Sequence, residues 1–270
     1  EGKLYNNKKK VTPMVIHGNG PAEVKEYLKE IEDVVLGKNL FKKQIKEVTN
    51  RTVLISVLAD RPVEDLNQVF DQIRYLDFPK EKIFINVLYS DLSHEYKIGK
   101  FIDDFSSEYM GIDMIYVDGN EVVLRDKALE LAMRSHLDYT LLMDCNYIFR
   151  NRKSLQRLLG EDRYIITPMI NSEGTEWVNF FFNVDEEGKF IDSDEQKAIK
   201  EYQIQDTFSV GYTAGMWLIN NEIIIRIQNY FSKNIERWGV DNYDECFSYN
   251  LRERGFYLYL TNKSYYGGVI

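Results

Sequence analysis

The stretch Tyr139-Thr-Leu-Leu-Met-Asp144-Cys145-Asn146 decides how this chain reads. A strand-forming run proceeds without a break into a carboxylate, and the chain then turns at an amide. In an open α/β sheet, ligands are met beyond the carboxyl ends of the strands, so Asp144 is predicted to stand where a ligand or metal would be bound. Working backwards, strand and helix alternate. Residues 53–58 read as a buried strand, 62–75 as a helix, 83–89 as a strand, 98–109 as a helix, 114–117 as a strand and 122–136 as a long helix. That spacing makes parallel βαβ units.

Working forwards, the regularity weakens. A helix is expected near 152–159, strands at 164–169 and 177–182, and an exposed acidic excursion over 185–206. The chain then returns with a strand at 213–219, a helix at 222–231, a loop at 238–244, a helix at 245–254 and a strand at 256–260. Ahead of the main body, which starts near Thr52, residues 11–20 read as a short strand running into a glycine turn, and Pro21 opens a helix closed by Gly37. Residues 38–51 read as a linker.

Composition sets outer limits. The chain has 270 residues, 44% hydrophobic and 29% charged, enough for a large α/β core. Its net charge of −9 argues against a basic nucleic-acid surface. No apolar run approaches the roughly 20 residues of a membrane span, and the first ten residues do not read as a signal peptide. Two acceptor sequences, Asn50-Arg-Thr and Asn262-Lys-Ser, fit the secretory pathway and mark Asn50 and Asn262 as glycosylation candidates. Cys145 and Cys246 allow one disulfide or two free buried thiols; a bond between them would staple shut a pocket at Asp144. The three histidines are scattered; His136-Leu-Asp138 has no histidine after it to complete an iron triad, and no Gly-x-Gly-x-x-Gly turn or Gly-x-Ser-x-Gly elbow is present.

A parallel half-sheet, an acid at the end of its last strand and a mixed sheet beyond is the plan of nucleotide-sugar glycosyltransferases of the GT-A kind. There an Asp-x-Asp holds a divalent metal that neutralises the diphosphate leaving group. Here the motif is Asp144-Cys-Asn146, in which one carboxylate has become an amide. The competing reading is that Asp144 caps the following turn and Asn146 stabilises it.

Several segments carry a family likeness: Asp144-Cys-Asn, Ser154-Leu-Gln-Arg-Leu-Leu, Ile165-Ile-Thr-Pro-Met-Ile and Trp177-Val-Asn-Phe-Phe. In this order they resemble the collagen glycosyltransferases and the procollagen lysyl hydroxylases. Asp60-Arg-Pro and Leu76-Asp-Phe-Pro-Lys-Glu-Lys resemble the start of the hydroxylases' middle, accessory domain, and His17-Gly-Asn-Gly-Pro the end of the glycosyltransferase domain before it. Asp244-Glu-Cys-Phe, Arg252-Glu-Arg-Gly-Phe and Asn262-Lys-Ser-Tyr-Tyr-Gly extend the likeness towards the end of the chain.

The resemblance implies a GT-A-like α/β fold with a mixed, mostly parallel sheet. It divides the chain into the tail of an upstream glycosyltransferase domain (1–37), a linker (38–51) and an accessory domain (52–270). It implies that His17 completes a manganese site with that upstream domain, and that Asn19 and Gly20 lie near a sugar nucleotide. Trp177 and Asn179 match a strand near the donor pocket; core packing and a strand hydrogen bond are their plainer readings. Asp244 matches an acid near the acceptor, catalytic only in an active enzyme, and forms an acidic pair with Asp241; the plainer reading makes it the cap of the helix at Glu245. Asp144 and Asn146 would be the degenerate metal ligands.

The implied function is a non-catalytic accessory domain of a collagen lysyl hydroxylase, spacing the catalytic domains, with no cofactor of its own. Its parent would act on procollagen in the endoplasmic reticulum lumen with iron(II), 2-oxoglutarate and ascorbate, and with manganese and UDP-sugar for transfer. Its partners would be procollagen chains and the neighbouring glycosyltransferase and dioxygenase domains, and a homodimer is compatible with the resemblance. The alternative is an active UDP-sugar-dependent collagen hydroxylysine glycosyltransferase, in which Asp144 binds manganese and Asp244 orients or deprotonates the acceptor hydroxyl.

Overall fold

The computed structural model describes residues 48–60, 66–172, 177–185, 189–238 and 242–269. The chain divides into two compact units, Glu1–Val48 and Thr49–Ile270, and the second is described here. His17, Asn19, Gly20, Asp241 and most of the expected linker lie outside the described residues.

The strands, in chain order, begin with β1 (Val53–Ala59), β2 (Ile83–Tyr89), β3 (Gly111–Tyr116), β4 (Tyr139–Asp144) and β5 (Tyr147–Phe149). They continue with β6 (Ile165–Pro168), β7 (Ile170–Asn171), β8 (Phe180–Phe181), β9 (Asn183–Val184) and β10 (Phe190–Ile191). The last are β11 (Thr207–Val210), β12 (Tyr212–Thr213), β13 (Met216–Asn220), β14 (Leu258–Thr261) and β15 (Gly267–Val269). The helices are α1 (Leu66–Tyr75), α2 (Glu95–Phe105), α3 (Glu121–Ser135), α4 (Ser154–Gly160), α5 (Asp194–Lys200), α6 (Ile235–Trp238) and α7 (Tyr243–Glu253).

Eight strands form one sheet in the order β11-β14-β6-β13-β4-β1-β2-β3. The half β4-β1-β2-β3 is parallel, while β13 runs antiparallel to both β4 and β6. Every residue of β1 and β4 is buried, as expected for central strands covered on both faces. One cover is α3, whose Leu124, Ala128, Leu129 and Ala132 pack into a core with Leu54, Leu58, Leu142 and Trp217. Asn120 caps that helix by accepting from the Val123 amide at 3.4 Å, and His136 ends it in the left-handed region at φ 55°.

Four sequence expectations shift. The helix expected at 222–231 is a 3₁₀ segment, Asn221–Arg226, because a run of β-branched isoleucines is stiff against the preceding turn. The strand expected at 177–182 shrinks to β8, because the Asn179 side chain takes over backbone partners that a ladder would use. The acidic excursion is partly ordered: Ser193 caps α5, accepting from the Gln196 amide at 3.1 Å, and Ile199 is buried beneath it. Cys145 and Cys246 are both free and buried, so the stapled pocket is not formed. The Cys246 thiol donates to the Lys233 carbonyl at 3.2 Å, and burial pushes it up to about 11.

Candidate active site

Asp144 ends β4 beside the antiparallel β13, where the parallel half of the sheet stops. Its amide donates to the Gly215 carbonyl at 2.9 Å. The amide of the same glycine donates to the Asp244 carboxylate. Gly215 sits at φ +76°, and a Cβ there would overlap the Tyr147 phenol, so only glycine bridges the two acids at this turn. Asp244 lies in the first turn of α7. The cap of that helix is Asn242, whose Oδ1 accepts from the Asp244 amide at 2.9 Å, so the capping role considered for Asp244 belongs two residues earlier.

Between the two acids lies Arg125 of α3. Its Nη1 donates to Asp144 Oδ1 at 2.5 Å and its Nη2 to Asp144 Oδ2 at 2.9 Å. Nη2 also donates to Glu121 Oε1, one helical turn away, at 2.5 Å and stands 3.5 Å from Asp244 Oδ1. The guanidinium lies over the rings of Trp217 at 5.7 Å and Phe231 at 5.5 Å. Arg125 is 1% exposed, Asp144 5% and Asp244 8%.

One cation thus serves three carboxylates. Burial would lower the charge affinity of Arg125, but Asp144 first, then Asp244 and Glu121, hold its pKa well above the ordinary value. Burial pushes the Asp244 carboxyl up to about 7; Arg125 opposes the rise, and Asp144 and Glu121 add to it. The Tyr147 and Tyr212 phenols are raised by burial, and by the neighbouring Asp144 and Asp244 charges.

A cleft of about 680 Å³ opens over this cluster, lined by Glu121, Asn146, Tyr147, Trp177, Tyr212 and Asn242, among others. It adjoins a hollow of about 980 Å³ with which it shares Trp177, Tyr212, Ala214 and Asn242. Trp177 is 41% exposed at this border and is not core packing.

Manganese does not fit these residues. Both oxygens of Asp144 accept from a guanidinium that stays protonated, Asn146 brings no charge, and a hard dication wants about six oxygen donors. Among the described residues no group of three or more His, Cys, Asp or Glu side chains is arranged to hold a metal ion. Nor does Asp144 cap the turn after β4, since its carboxylate is spent on α3.

Asn179, expected near a donor, is a structural clasp. Its Oδ1 accepts from the Ile170 amide at 2.8 Å, and its Nδ2 donates to the carbonyls of Pro168 at 3.1 Å and Ala214 at 3.3 Å. Both of its amide protons are used and the side chain is 1% exposed, so it does not face a ligand. Asn262 is fully buried, its Nδ2 donating to the Ile199 and Ile204 carbonyls at 2.9 and 2.7 Å, so the folded domain does not offer that nitrogen to a glycan. Asn50 is exposed in a turn.

Sequence reasoning missed Arg125, Glu121, Tyr147 and Tyr212. A signal for Arg125 existed: it follows Leu124 on the stripe continued by Ala128, Leu129 and Ala132, so helical periodicity alone buries a basic residue there.

Fold and site define a glycosyltransferase-fold protein of the GT-A class whose strand-end acid, Asp144, is held by an internal arginine. Solved structures agree on the fold. The chain matches GalNAc-T7, solved with UDP, GalNAc and Mn²⁺, with a TM-score of 0.55 and 13% identity over 81% of this chain and 42% of that one. S. aureus TarS residues 1–349 match with a TM-score of 0.53 and 10% identity over 81% of this chain and 60% of that one.

The chain belongs to glycosyltransferase family 25, whose N-terminal domain matches residues 116–270, more than half of it. It is 22% identical over 272 residues to procollagen-lysine,2-oxoglutarate 5-dioxygenase 1 of Gallus gallus, covering 96% of this chain and 37% of that protein. It is 24% identical over 280 residues to the multifunctional procollagen lysine hydroxylase and glycosyltransferase of Caenorhabditis elegans, covering 98% of this chain and 38% of that protein. The chain therefore spans somewhat over a third of the length of these relatives. Among the described residues no helix is long and apolar enough to cross a membrane.

Proposed function

We propose that this is a non-catalytic, glycosyltransferase-like accessory domain of a collagen-modifying lysyl hydroxylase. The observation that carries the reading is the bidentate bond of Arg125 to Asp144. An active site of this class needs that carboxylate free for a metal that draws charge from a diphosphate. Here a permanent internal cation holds it, and Arg125 is too buried to reach a ligand's phosphates. The chemistry left to the chain's own residues is binding and support.

In this reading the domain spaces the catalytic domains of a larger protein that acts on procollagen in the endoplasmic reticulum lumen. That parent uses iron(II), 2-oxoglutarate and ascorbate for hydroxylation, and manganese with UDP-sugar, completed by His17 with Asn19 and Gly20 nearby, for transfer in the upstream domain. Asn50 is the glycan acceptor.

A transfer assay tests it. The 270-residue chain, given UDP-galactose or UDP-glucose, manganese and a hydroxylysine peptide, is expected to release no UDP above the enzyme-free rate. Turnover that disappears in Asp144→Ala would establish the active-transferase alternative instead.

A further inference from the structure

Beside β11, the edge strand of the large sheet, a cavity of about 360 Å³ is walled by Phe182, Val184, Phe256 and Tyr257. It shares no lining residue with the cleft over Asp144 or with the adjoining hollow. The chain carries 43 acidic residues, yet among the described residues no aspartate or glutamate lines this cavity. Its one charged lining residue is Arg252, in the last turn of α7.

Arg252 is half-buried, and among the described residues no carboxylate pairs with it. Burial lowers its pKa, and only the Tyr249 phenol acts the other way. Its guanidinium stands over the Tyr249 ring at 4.7 Å and lies 5.9 Å from the centre of the Phe190 ring. A basic residue in a last helical turn suits the helix dipole, which accounts for the charge but not for its burial. A partly desolvated cation without a counter-charge is a cost that an anion from outside would remove.

The available donors decide which anion. The amides of Gly211 and Gly255 are spent on the Phe181 and Arg252 carbonyls, at 3.0 Å each, and the Phe256 amide on the Leu251 carbonyl at 2.9 Å. Charge comes only from the planar fork of Arg252, with the hydroxyl of Ser209, exposed on β11, beside it in the lining. Such a fork matches a planar carboxylate with two parallel hydrogen bonds. A phosphate dianion is poorly served by one cation with the glycine amides engaged, and a cation or a neutral sugar leaves Arg252 unmatched. The aromatic and aliphatic walls favour an apolar body beside the charge, and the volume suits a small organic group.

We infer that this cavity binds a carboxylate carried on an apolar body, its oxygens accepting from the Arg252 guanidinium and its body lying against Phe256 and Tyr257. Two sources share that chemistry: a free organic acid, and an acidic side chain on a partner polypeptide. The inference is independent of whether Asp144 serves a metal.

The test is calorimetric titration of the 270-residue chain with 3-phenylpropionate, with acetyl-Phe-Glu-amide, with their neutral counterparts 3-phenylpropionamide and acetyl-Phe-Gln-amide, and with inorganic phosphate. Saturable binding of a carboxylate probe in the millimolar range or tighter is expected, weakened about tenfold or more in its neutral counterpart and by Arg252→Gln, a loss near 1.4 kcal/mol. Circular dichroism verifies that the variant is folded. Ser209→Glu, on the exposed edge strand, sets a competing carboxylate in the lining without touching Arg252 and is expected to abolish binding. Tighter binding of the peptide than of the free acid supports the inference with a polypeptide as the source, and the reverse order supports it with a free acid. Equal binding of a carboxylate and its neutral counterpart, tighter binding of phosphate, unchanged affinity in both variants, or no saturation with either carboxylate would overturn the inference.

Discussion

Arg125 grips both carboxylate oxygens of Asp144, at 2.5 and 2.9 Å, from a helix that precedes the strand ending in that acid. The pair joins α3 to the end of β4 at the point where the sheet changes direction. Asp144 therefore works as an anchor for a helix rather than as a ligand for a metal. Planarity matters here: the fork of an arginine matches a carboxylate in a way that a lysine cannot.

Removing that cation should be expensive. Arg125→Met leaves Asp144 and Asp244 buried without their counter-charge, and breaking a buried pair in this way costs about 3–5 kcal/mol. Urea unfolding measures it, with Arg125→Lys expected to recover only part of the loss. A change of about 1 kcal/mol or less, the scale of a surface pair, would contradict the account.

Asp244 gives a pH dependence whose sign can be worked out. Its folded carboxyl titrates at about 7 and its ordinary value is 3.8, so in that window the native state holds a proton that the unfolded chain has released. Stability from this group therefore falls as pH rises from about 4 to about 7 and levels off above. Asp244→Asn removes the titration, so its stability relative to wild type should improve across the same window. Parallel unfolding curves at pH 5 and pH 8 check this; a difference that does not change with pH would rule it out.

Gly215 is the hinge on which both acids hang. Gly215→Ala forces a side chain into the left-handed region and against the Tyr147 phenol, and should destabilise by about 2–4 kcal/mol from backbone strain and overpacking together. Gly255 has the same φ of +76° with open space around it, so Gly255→Ala carries the backbone cost alone and should lose less. Equal losses at the two positions would show that the phenol contact is not what fixes Gly215.

Much of this was legible in the sequence. The strand-helix alternation from Val53 to Asp144 appears in the fold, because β1, β2 and β4 are largely apolar and buried and α3 buries Leu124, Ala128, Leu129 and Ala132; β3 starts three residues before the expected 114–117 and is mostly exposed, with Asp113 in it. Asp144 could be placed at a strand end by the same logic. What could not be read was its partner, since Arg125 and Asp144 are 19 residues apart and meet only because α3 packs back across the sheet. Asn179 misled for a related reason: an amide in an aromatic strand looks like a ligand contact until the carbonyls of Pro168 and Ala214 are seen around it. Asn262 reads as a glycan acceptor by its neighbours in sequence and is excluded by its neighbours in space.

The central claim is that Arg125 has taken the place of the metal. Calorimetric titration of the 270-residue chain with UDP, with and without manganese, tests it most directly. The account predicts no saturable heat up to millimolar UDP in either condition, and no change when manganese is added. Micromolar binding that requires the metal would show that Asp144 and Asn146 still form a donor site, and would contradict it.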